Sequence, residues 1–304
     1  MSHQHHRHGL DRTRSRRALG AVLALTAAYT VVELVGGLAT DSLALLADAG
    51  HMLGDTGTIA LALFASWLAA RPATAQRSFG YRRAEILAAL ANGVALVVVA
   101  IWIFIEAVER FSNPPEILAG WVLVVAGIGL AVNLVAAGIL ARAAGESLNA
   151  RAAYTHVLTD LAASAGVIVA ALVVLATGWR YADPLAGLAI GFLVLASSWT
   201  ILRDSVSILL ESTPAGIDAV DVGHRMAQVE GVVEVHDLHI WTITSGFPAL
   251  SAHVLVRADD DGHARRRELE AILADEFGLR HTTLQVEHAT DRQPVQITPL
   301  RKQD

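Results

Sequence analysis

The chain contains no cysteine, which excludes disulfides, thiolate metal sites and cysteine nucleophiles together. Charged residues are also scarce, at 17% of the 304 positions, whereas soluble domains carry about 25%. The net charge is −6, so no overall positive field attracts nucleic acid. The sequence has no G-x-x-x-x-G-K-S/T segment, the phosphate-binding loop of many ATPases. A soft-metal site in this chain must therefore combine carboxylates with some of its 13 histidines.

Apolar residues are abundant and are gathered into long runs. Hydrophobic residues make up 54% of the chain, and the mean hydropathy is +0.47. Six runs are each near or above the roughly 20 residues that a helix needs to cross a membrane. These runs are 18–39, 42–69, 84–110, 117–140, 150–177 and 184–209. We therefore predict an α-helical membrane protein in which residues 18–210 form a domain of six transmembrane helices.

The distribution of arginine predicts the orientation of these spans. Five arginines precede the first run, four lie between the second and third runs, and two flank the fourth-to-fifth connection. The connections on the opposite side hold only Arg110 and Arg180, near their edges. The positive-inside rule therefore places both termini of this multi-pass protein in the cytoplasm.

The composition after residue 210 is that of a small soluble domain. Helical and alternating patterns follow one another in the order helix, strand, strand, helix, strand. The segments are Asp218–Val229, Val232–Ile243, Ala249–Val256, His263–Phe277 and Thr283–Glu287. Residues 211–290 thus predict an α+β domain of αββαβ order. About eighty residues bury only a marginal core, so we expect this domain to pack against a second copy of itself.

The two ends of the chain are expected to be cytoplasmic tails. Residues 1–17 are rich in histidine and arginine, and residues 291–304 follow the last predicted strand. The histidines of the first tail are candidate metal ligands, with an unstructured tail or a tag remnant as the alternative. They are His3, His5, His6 and His8.

Two pairs of ionisable residues share one spacing inside the apolar runs. His51 and Asp55 lie four residues apart on the second predicted span, and His156 and Asp160 lie four apart on the fifth. Side chains at positions i and i+4 lie on one face of a helix. Two such helices facing each other would supply two nitrogens and two oxygens, which is a tetrahedral set typical of Zn²⁺. The two carboxylates would also neutralise the divalent charge.

This candidate site predicts exchange of metal for protons, because ligands must be deprotonated before they bind a metal. The alternative is structural: each pair ties two helices together by a hydrogen bond. Counting residues from the expected helix ends places the two pairs at different depths, so the sequence does not establish that they face each other. Glu33 and Glu106 are further intramembrane carboxylates to which the sequence assigns no role.

Residues 42–55 have the sequence SLALLADAGHMLGD. This segment resembles the second span of the cation diffusion facilitator family of zinc transporters, in particular its bacterial zinc/cadmium/cobalt efflux members. Further similar segments are 79–87 (FGYRRAEIL), 235–241 (VHDLHIW) and 250–253 (LSAH). They occur in the order typical of the family, and the similarity runs from about residue 18 to residue 288.

The resemblance implies a homodimeric transporter in the lipid bilayer of a bacterial inner membrane. It implies export of Zn²⁺, with Cd²⁺ and Co²⁺ as further candidates, in exchange for protons, and neither enzymatic activity nor an organic cofactor. The transport site of the family corresponds to His51, Asp55, His156 and Asp160. The loop of residues 71–81 contains no His, Asp or Glu, so we predict that it binds no metal.

The resemblance also implies features outside the transport site. His239, His253 and Glu287 match a regulatory metal site of the family, with His236 and His288 as additional candidate ligands. Period-two alternation places positions 236 and 239 on opposite faces of a strand, and the alternative is that these histidines are surface residues.

Two charged residues match an ion pair that joins helices in the family. Arg83 begins the third span and Glu211 follows the sixth. The alternative is two separate charges that extend to the membrane interface.

Two other functions are alternatives to transport. An intramembrane zinc hydrolase needs an open coordination position and a general base, but the chain has no H-E-x-x-H motif and the four-ligand site is closed. The second is a membrane-bound metal sensor that transports nothing. Metal flux in sealed vesicles distinguishes it from an exporter.

Overall fold

The structure is a computed structural model that describes residues 4–69, 71–143 and 148–289. Six long helices come first within these residues. They are α1 (Gln4–Thr40), α2 (Leu43–Ala69), α3 (Ala84–Ser112), α4 (Ala119–Ala143), α5 (Leu148–Thr177) and α6 (Ala182–Leu209). The chain divides into two compact units, with the boundary between Asp204 and Ser205. The first unit therefore holds almost all of the helical part.

Five of the helices are long and apolar enough to span a membrane. The spans are Gly20–Thr40, Ala84–Ser112, Ala119–Ala141, His156–Thr177 and Ala182–Leu209. Their outward faces expose large apolar side chains such as Trp121, Phe192 and Trp199, as expected where helices contact lipid. This confirms the predicted helical membrane architecture. The 27 residues of α2 reach about 40 Å, but several of its side chains lie outside the described part, so the sixth span stays a prediction.

The helices pack closely through small residues. Helix α1 contacts α2 and α4, α4 contacts α5, and α2 contacts α3 and α5. Alanines such as Ala44, Ala100 and Ala126 are buried where the helices meet, because small side chains let helix backbones approach. Gly36 shows how close this approach is: a Cβ atom there would lie 2.9 Å from Cγ2 of Val125. Packing of this kind fixes the positions of the polar residues that the helices carry.

The N-terminal segment differs from the expectation for a tail. Helix α1 begins at Gln4, so residues 4–17 continue the first helix at its N-terminal end. Arginine favours helices and no proline interrupts this segment, which explains the continuation. The expected C-terminal tail, residues 291–304, lies outside the described residues. So do His3 and the side chains of His5, His6 and His8.

The second unit contains the αββαβ domain that the patterns predict. Its elements are α7 (Ala219–Ala227), β1 (Val232–Thr244), β2 (Phe247–Val256), α8 (Gly262–Phe277) and β3 (His281–His288). The sheet has the order β1-β2-β3, with β1 antiparallel to β2 and β2 parallel to β3. Helix α8 makes the crossover that two parallel strands require. The core includes Val222, Met226, Val254, Leu269 and Leu273.

The helix ends of this domain are capped by residues suited to that role. The side chain of Asp218 accepts a hydrogen bond from the backbone N–H of Val220, at 2.7 Å. Asp261 accepts from the N–H groups of His263 and Ala264, at 2.9 and 3.1 Å. Gly278 ends α8 with a φ of +71°, a left-handed conformation that glycine adopts without steric cost.

Candidate metal centre

Helices α2 and α5 contact each other, and this contact brings the two sequence-predicted pairs together. His51, Asp55 and Asp160 each offer one ligand atom, and these three atoms all lie within 4.8 Å of one another. The Nε2 atom of His51 is 3.7 Å from Oδ2 of Asp55 and 3.6 Å from Oδ1 of Asp160. One nitrogen and two oxygens from two helices thus surround a common point.

His156 approaches the same two carboxylates. Its Nε2 atom lies 3.0 Å from Oδ2 of Asp55 and 3.9 Å from Oδ1 of Asp160. With Zn–N and Zn–O bonds near 2.0–2.2 Å, ligand atoms at the corners of a tetrahedron are about 3.3 Å apart. The four nitrogen-to-oxygen distances, 3.0–3.9 Å, bracket this value. His156 is not among the residues whose ligand atoms all lie within 4.8 Å of one another, so tetrahedral coordination by all four residues requires a change in side-chain position.

The same two carboxylate oxygens are buried without a hydrogen-bond donor. Oδ2 of Asp55 and Oδ1 of Asp160 accept no hydrogen bond within the described residues. Buried anionic oxygens without a donor or a cation are costly. The atoms that face the histidine nitrogens are therefore the ones that gain most from a bound cation.

The ligand side chains become more exposed toward one end of the helical unit. The side chains of His51 and Asp160 are 9% and 7% exposed, whereas those of Asp55 and His156 are 33% and 45% exposed. Asp55 lies toward the C-terminus of α2, and His156 lies toward the N-terminus of α5. Both directions lead to the end of the helical unit that carries the arginine-rich connection of residues 71–83. The site is open toward this end.

The opposite end of α2 is held by a buried polar network. Oδ1 of Asp183 accepts a hydrogen bond from Oγ of Ser42 at 2.5 Å, and its Oδ2 accepts from the N–H of Leu43 at 2.8 Å. Arg110 lies 3.9 Å from Asp183. It also donates to Glu106 at 2.9 Å, which gives that carboxylate a structural role. Asp183 thereby caps α2 from another helix.

Arg110 also ties the turn between α1 and α2 to α3. It donates to the side chain of Asp41 at 2.7 Å and to the Asp41 carbonyl at 2.5 Å. Asp41 has a φ of +57°, so these bonds hold a residue in the left-handed region. Sequence reasoning missed the role of Asp183, which lies just before the apolar run of residues 184–209.

A second polar cluster lies behind the metal ligands. Glu33 and Asp48 are 0% and 1% exposed, and their carboxyl groups interact with each other electrostatically. Asn133 and Ser164 are also buried and join this cluster through hydrogen bonds. Asp48 was visible in the sequence as an aspartate in a span, but no pattern placed Asn133 and Ser164 beside it.

The C-terminal domain brings three histidines to one region of its sheet. His236 and His253 are partners across β1 and β2, with ring centroids 5.3 Å apart. Nε2 of His239 is 2.9 Å from Oδ1 of Asp237, and Nε2 of His253 is 3.9 Å from Oδ2 of Asp237. Asp237 therefore bridges His239 and His253, a role that sequence reasoning missed.

An irregularity in β1 makes this arrangement possible. The register shifts between His236 and His239, and Asp237 has a φ of +51°. Strict alternation would place positions 236 and 239 on opposite faces, but a bulge adds a residue and turns the side chains that follow it. The expectation from alternation is therefore wrong at this point of the strand.

Glu287 and His288 lie farther along β3. His253 is the register partner of Gln285, and Glu287 is two residues beyond it, or about 7 Å. Oε1 of Glu287 accepts a hydrogen bond from the side chain of Gln285. Nε2 of His288 is 2.9 Å from the carbonyl oxygen of Asp260. These two candidate ligands thus have neighbours other than Asp237, and their metal-binding role stays a prediction.

The predicted pair of Arg83 and Glu211 spans the two units. Arg83 precedes the first residue of α3, and Glu211 follows α6 with a φ of +58°. The two residues belong to different compact units, and their ion pair stays a prediction.

The comparison with family models matches nearly the whole chain. The cation efflux transmembrane domain matches residues 19–210, and the cytoplasmic domain of cation efflux proteins matches residues 214–289. A solved structure, the metal-bound C-terminal domain of the CzcD transporter from Cupriavidus metallidurans, is 36% identical to 23% of this chain, with a TM-score of 0.23 and 99% of that chain covered.

Three curated relatives match over most of their length. A cadmium, cobalt and zinc/H⁺-K⁺ antiporter of Bacillus velezensis is 41% identical and covers 95% of this chain and 93% of its own. The metal cation efflux system protein CzcD of Cupriavidus metallidurans is 42% identical over 90% of this chain and 87% of its own. The zinc transporter ZitB of Escherichia coli is 39% identical over 94% and 92%. With both family domains in order and these identities over nearly full length, the chain belongs to the cation efflux family of membrane transporters.

Proposed function

We propose that this transporter exports Zn²⁺ in exchange for protons, through a site formed by His51, Asp55, His156 and Asp160. The observation that carries the proposal is the convergence of two imidazole nitrogens on two buried carboxylate oxygens that have no hydrogen-bond donor among the described residues. Relatives described as a zinc transporter and as a cadmium, cobalt and zinc/H⁺-K⁺ antiporter support it. Cd²⁺ and Co²⁺ are further candidate substrates.

The ligand set favours Zn²⁺ among the common divalent cations. Imidazole nitrogen suits Zn²⁺, whereas Mn²⁺ and Mg²⁺ prefer oxygen ligands. Four ligands also match the tetrahedral preference of Zn²⁺ better than the six oxygens typical of Mg²⁺. The two carboxylates cancel the charge of the cation, so the filled site is nearly neutral. A neutral complex is the form that a low-dielectric membrane interior tolerates best.

Exchange with protons follows from the same charges. When Zn²⁺ leaves, the carboxylates of Asp55 and Asp160 lose their counter-charge while Asp160 stays buried. Protons that bind the ligand side chains restore neutrality and keep Zn²⁺ from rebinding. Transport then requires the site to open on alternate sides of the membrane. This conformation is open toward the arginine-rich end, which the positive-inside rule places in the cytoplasm.

The location and assembly of the protein are part of the proposal. We place it in a bacterial inner membrane with both termini in the cytoplasm. The arginine distribution and the family model for a cytoplasmic domain over residues 214–289 support this topology. We also propose a homodimer formed in part by the C-terminal domains, because a domain of this size buries a marginal core alone.

We further propose that the C-terminal domain binds regulatory metal at His239 and His253. The bridging carboxylate of Asp237 supports this, and the ring of His236 packs beside that of His253. Glu287 and His288 are the remaining candidate ligands. Metal bound there would stabilise one arrangement of the subunits by mass action, so rising cytoplasmic Zn²⁺ would activate export. An ion pair between Arg83 and Glu211 is proposed as a tie between helices.

Metal flux in proteoliposomes tests the main proposal. The full-length protein is reconstituted, an inward or outward pH gradient is imposed, and uptake of Zn²⁺, Cd²⁺, Co²⁺ and Mn²⁺ is followed with a fluorescent indicator. The proposal requires Zn²⁺ flux that reverses with the direction of the pH gradient. Metal binding without any flux would instead identify a membrane-bound sensor. Flux that ignores the pH gradient would contradict proton exchange.

A further inference from the structure

The carboxyl groups of Glu33 and Asp48 form a pair that the metal site does not use. Glu33 comes from α1 and Asp48 from α2, and their carboxyl groups lie within reach of a hydrogen bond to each other. Both residues are at most 1% exposed. Two carboxylate oxygens repel each other at hydrogen-bond distance, so such a contact is favourable only when one group carries a proton that it donates to the other.

Neighbouring polar groups hold this pair in place. The hydroxyl of Tyr29 donates to Oε1 of Glu33 at 3.1 Å, and the hydroxyl of Ser164 donates to Oδ2 of Asp48 at 3.4 Å. Asn133 donates to Ser164 at 3.3 Å. Oε2 of Glu33 has no hydrogen-bond donor among the described residues. A proton shared between the two carboxyl groups would give this buried oxygen a hydrogen-bond partner.

The charges around the pair offer little compensation for two anions. The titratable groups that face it are Tyr29 of α1, His51 of α2 and Asp160 of α5. Helix α4 contributes neutral groups, the carbonyl of Val125 and the amide of Asn133. Asp160 adds further negative charge, and His51 is shared with Asp55 and Asp160. One added positive charge is therefore needed at the pair itself.

We propose that Glu33 and Asp48 share one exchangeable proton and form a proton-binding site separate from the four metal ligands. This inference rests on the proposed exchange of metal for protons. Asp48 is three residues before His51, about 4.5 Å nearer to the N-terminus of α2. The pair therefore lies on the side of the metal site away from its open, arginine-rich end. That side faces the closed end of the helical unit, which is the end where Asp183 caps α2.

The position of the pair gives it a defined part in transport. Zn²⁺ bound at the ligands places two positive charges beside Asp160 and close to the pair. The O–H bond of the shared proton then breaks, the proton passes to water, and both carboxylates remain as anions. The resulting negative charge attracts Zn²⁺ toward the closed end. When Zn²⁺ has left, a proton from solvent binds again and restores the original state.

Infrared spectroscopy of the full-length protein in lipid nanodiscs tests the inference. The C=O stretch of a protonated carboxylic acid is separate from the bands of carboxylates. We expect such a band at pH 7 in the unmodified protein, its loss in Glu33→Gln, and its retention in Glu109→Gln, which changes an exposed carboxylate of α3. Tyr29→Phe keeps both carboxyl groups but removes one donor, so it should move the band without abolishing it.

Proton counting provides an independent measurement. A pH indicator in weakly buffered solution reports the protons released for each Zn²⁺ bound. We expect release to fall by about one proton per Zn²⁺ in Glu33→Gln, and Zn²⁺ still to bind because the four ligands are intact. Asp48→Asn serves as a second variant if Glu33→Gln fails to fold. An unchanged band together with an unchanged proton count in either variant would overturn the inference.

One further outcome distinguishes a proton site from a site that binds a metal cation. Other outcomes show whether the inference or the proposed function has failed. A band that K⁺ removes in the unmodified protein would show that the oxygen cluster binds a hard metal cation, which contradicts a proton site. If Glu33→Gln has the same band and the same proton-coupled Zn²⁺ flux as the unmodified protein, the inference fails and the proposed function stands. If the unmodified protein shows no pH-dependent flux, the proposed function fails, while the band still decides whether the pair holds a proton.

Discussion

Replacing Asp160 with asparagine should strongly weaken Zn²⁺ binding at the transport site while leaving the fold intact. Asp160 supplies one of four ligand atoms and half of the compensating negative charge. Binding of Zn²⁺ to four-ligand protein sites is worth about 10–16 kcal/mol, or roughly 3–4 kcal/mol for each ligand. Since 1.4 kcal/mol corresponds to a factor of ten, loss of this ligand should weaken binding by about 10²–10³-fold.

The fold should tolerate this change because Oδ1 of Asp160 makes no hydrogen bond within the described residues. Asparagine keeps the shape and removes a negative charge that lies near Asp55 and Asp48. We therefore expect the thermal midpoint without metal to stay the same or rise. A large fall would show that Asp160 is mainly a structural residue.

Metal-dependent thermal stability measures the predicted loss directly. A ligand at 100 times its Kd stabilises a protein by about 2.7 kcal/mol, and one at or below its Kd by about 0.4 kcal/mol or less. The comparison is made in a His253→Ala background, so that metal at the C-terminal domain does not contribute. Asp204→Asn, an exposed aspartate of α6, is the matched control. Zn²⁺ stabilisation and flux in Asp160→Asn equal to those of the control would refute the assignment of this ligand.

Three further predictions concern selectivity, helix capping and pH. His51→Asp replaces a nitrogen ligand with oxygen, so transport in proteoliposomes should shift from Zn²⁺ toward Mn²⁺ or Cd²⁺, and an unchanged order of metals would remove His51 from the ligand set. Asp183→Asn removes the anionic cap at the N-terminus of α2 and should lower stability by about 1–2 kcal/mol in thermal unfolding; an unchanged midpoint would show that the cap contributes little. Hydrogen bonds from the N–H groups of Ala264 and His263 lower the pKa of Asp261, so its stabilisation of α8 is complete above about pH 4 and lost as the pH falls through the lower folded pKa. Hydrogen exchange at the start of α8 should show this loss, and Asp261→Asn should remove the pH dependence.

The local elements of the fold were predictable because they depend on short-range periodicity. Long apolar runs predict helices that cross a membrane, and alternation predicts strands, so the order of elements agrees with the structure. Helix ends were less predictable. Helix α1 starts at Gln4 rather than near residue 18, because a charged segment without proline continues a helix as readily as it ends one.

The sequence also predicted which residues of α2 and α5 could hold a cation. The spacing of His51 and Asp55, and of His156 and Asp160, places each pair on one helix face whatever the tertiary structure is. Whether the two pairs face each other depends on how the helices pack. Small buried residues allow close packing, but their positions in the sequence do not predict which helix faces meet. The depths counted along the sequence disagreed, and only the structure brings Nε2 of His156 to 3.0 Å from Asp55.

The sequence by itself determined the membrane architecture, the order of the αββαβ domain and the chemical identity of the four candidate ligands, since each follows from composition or from spacing along one element. Tertiary structure decided the rest. The contact of Glu33 with Asp48 joins two helices, and the cap that Asp183 provides for α2 joins residues 140 positions apart. Such contacts depend on how helices are rotated and shifted against each other, and no periodicity within a single helix specifies that arrangement.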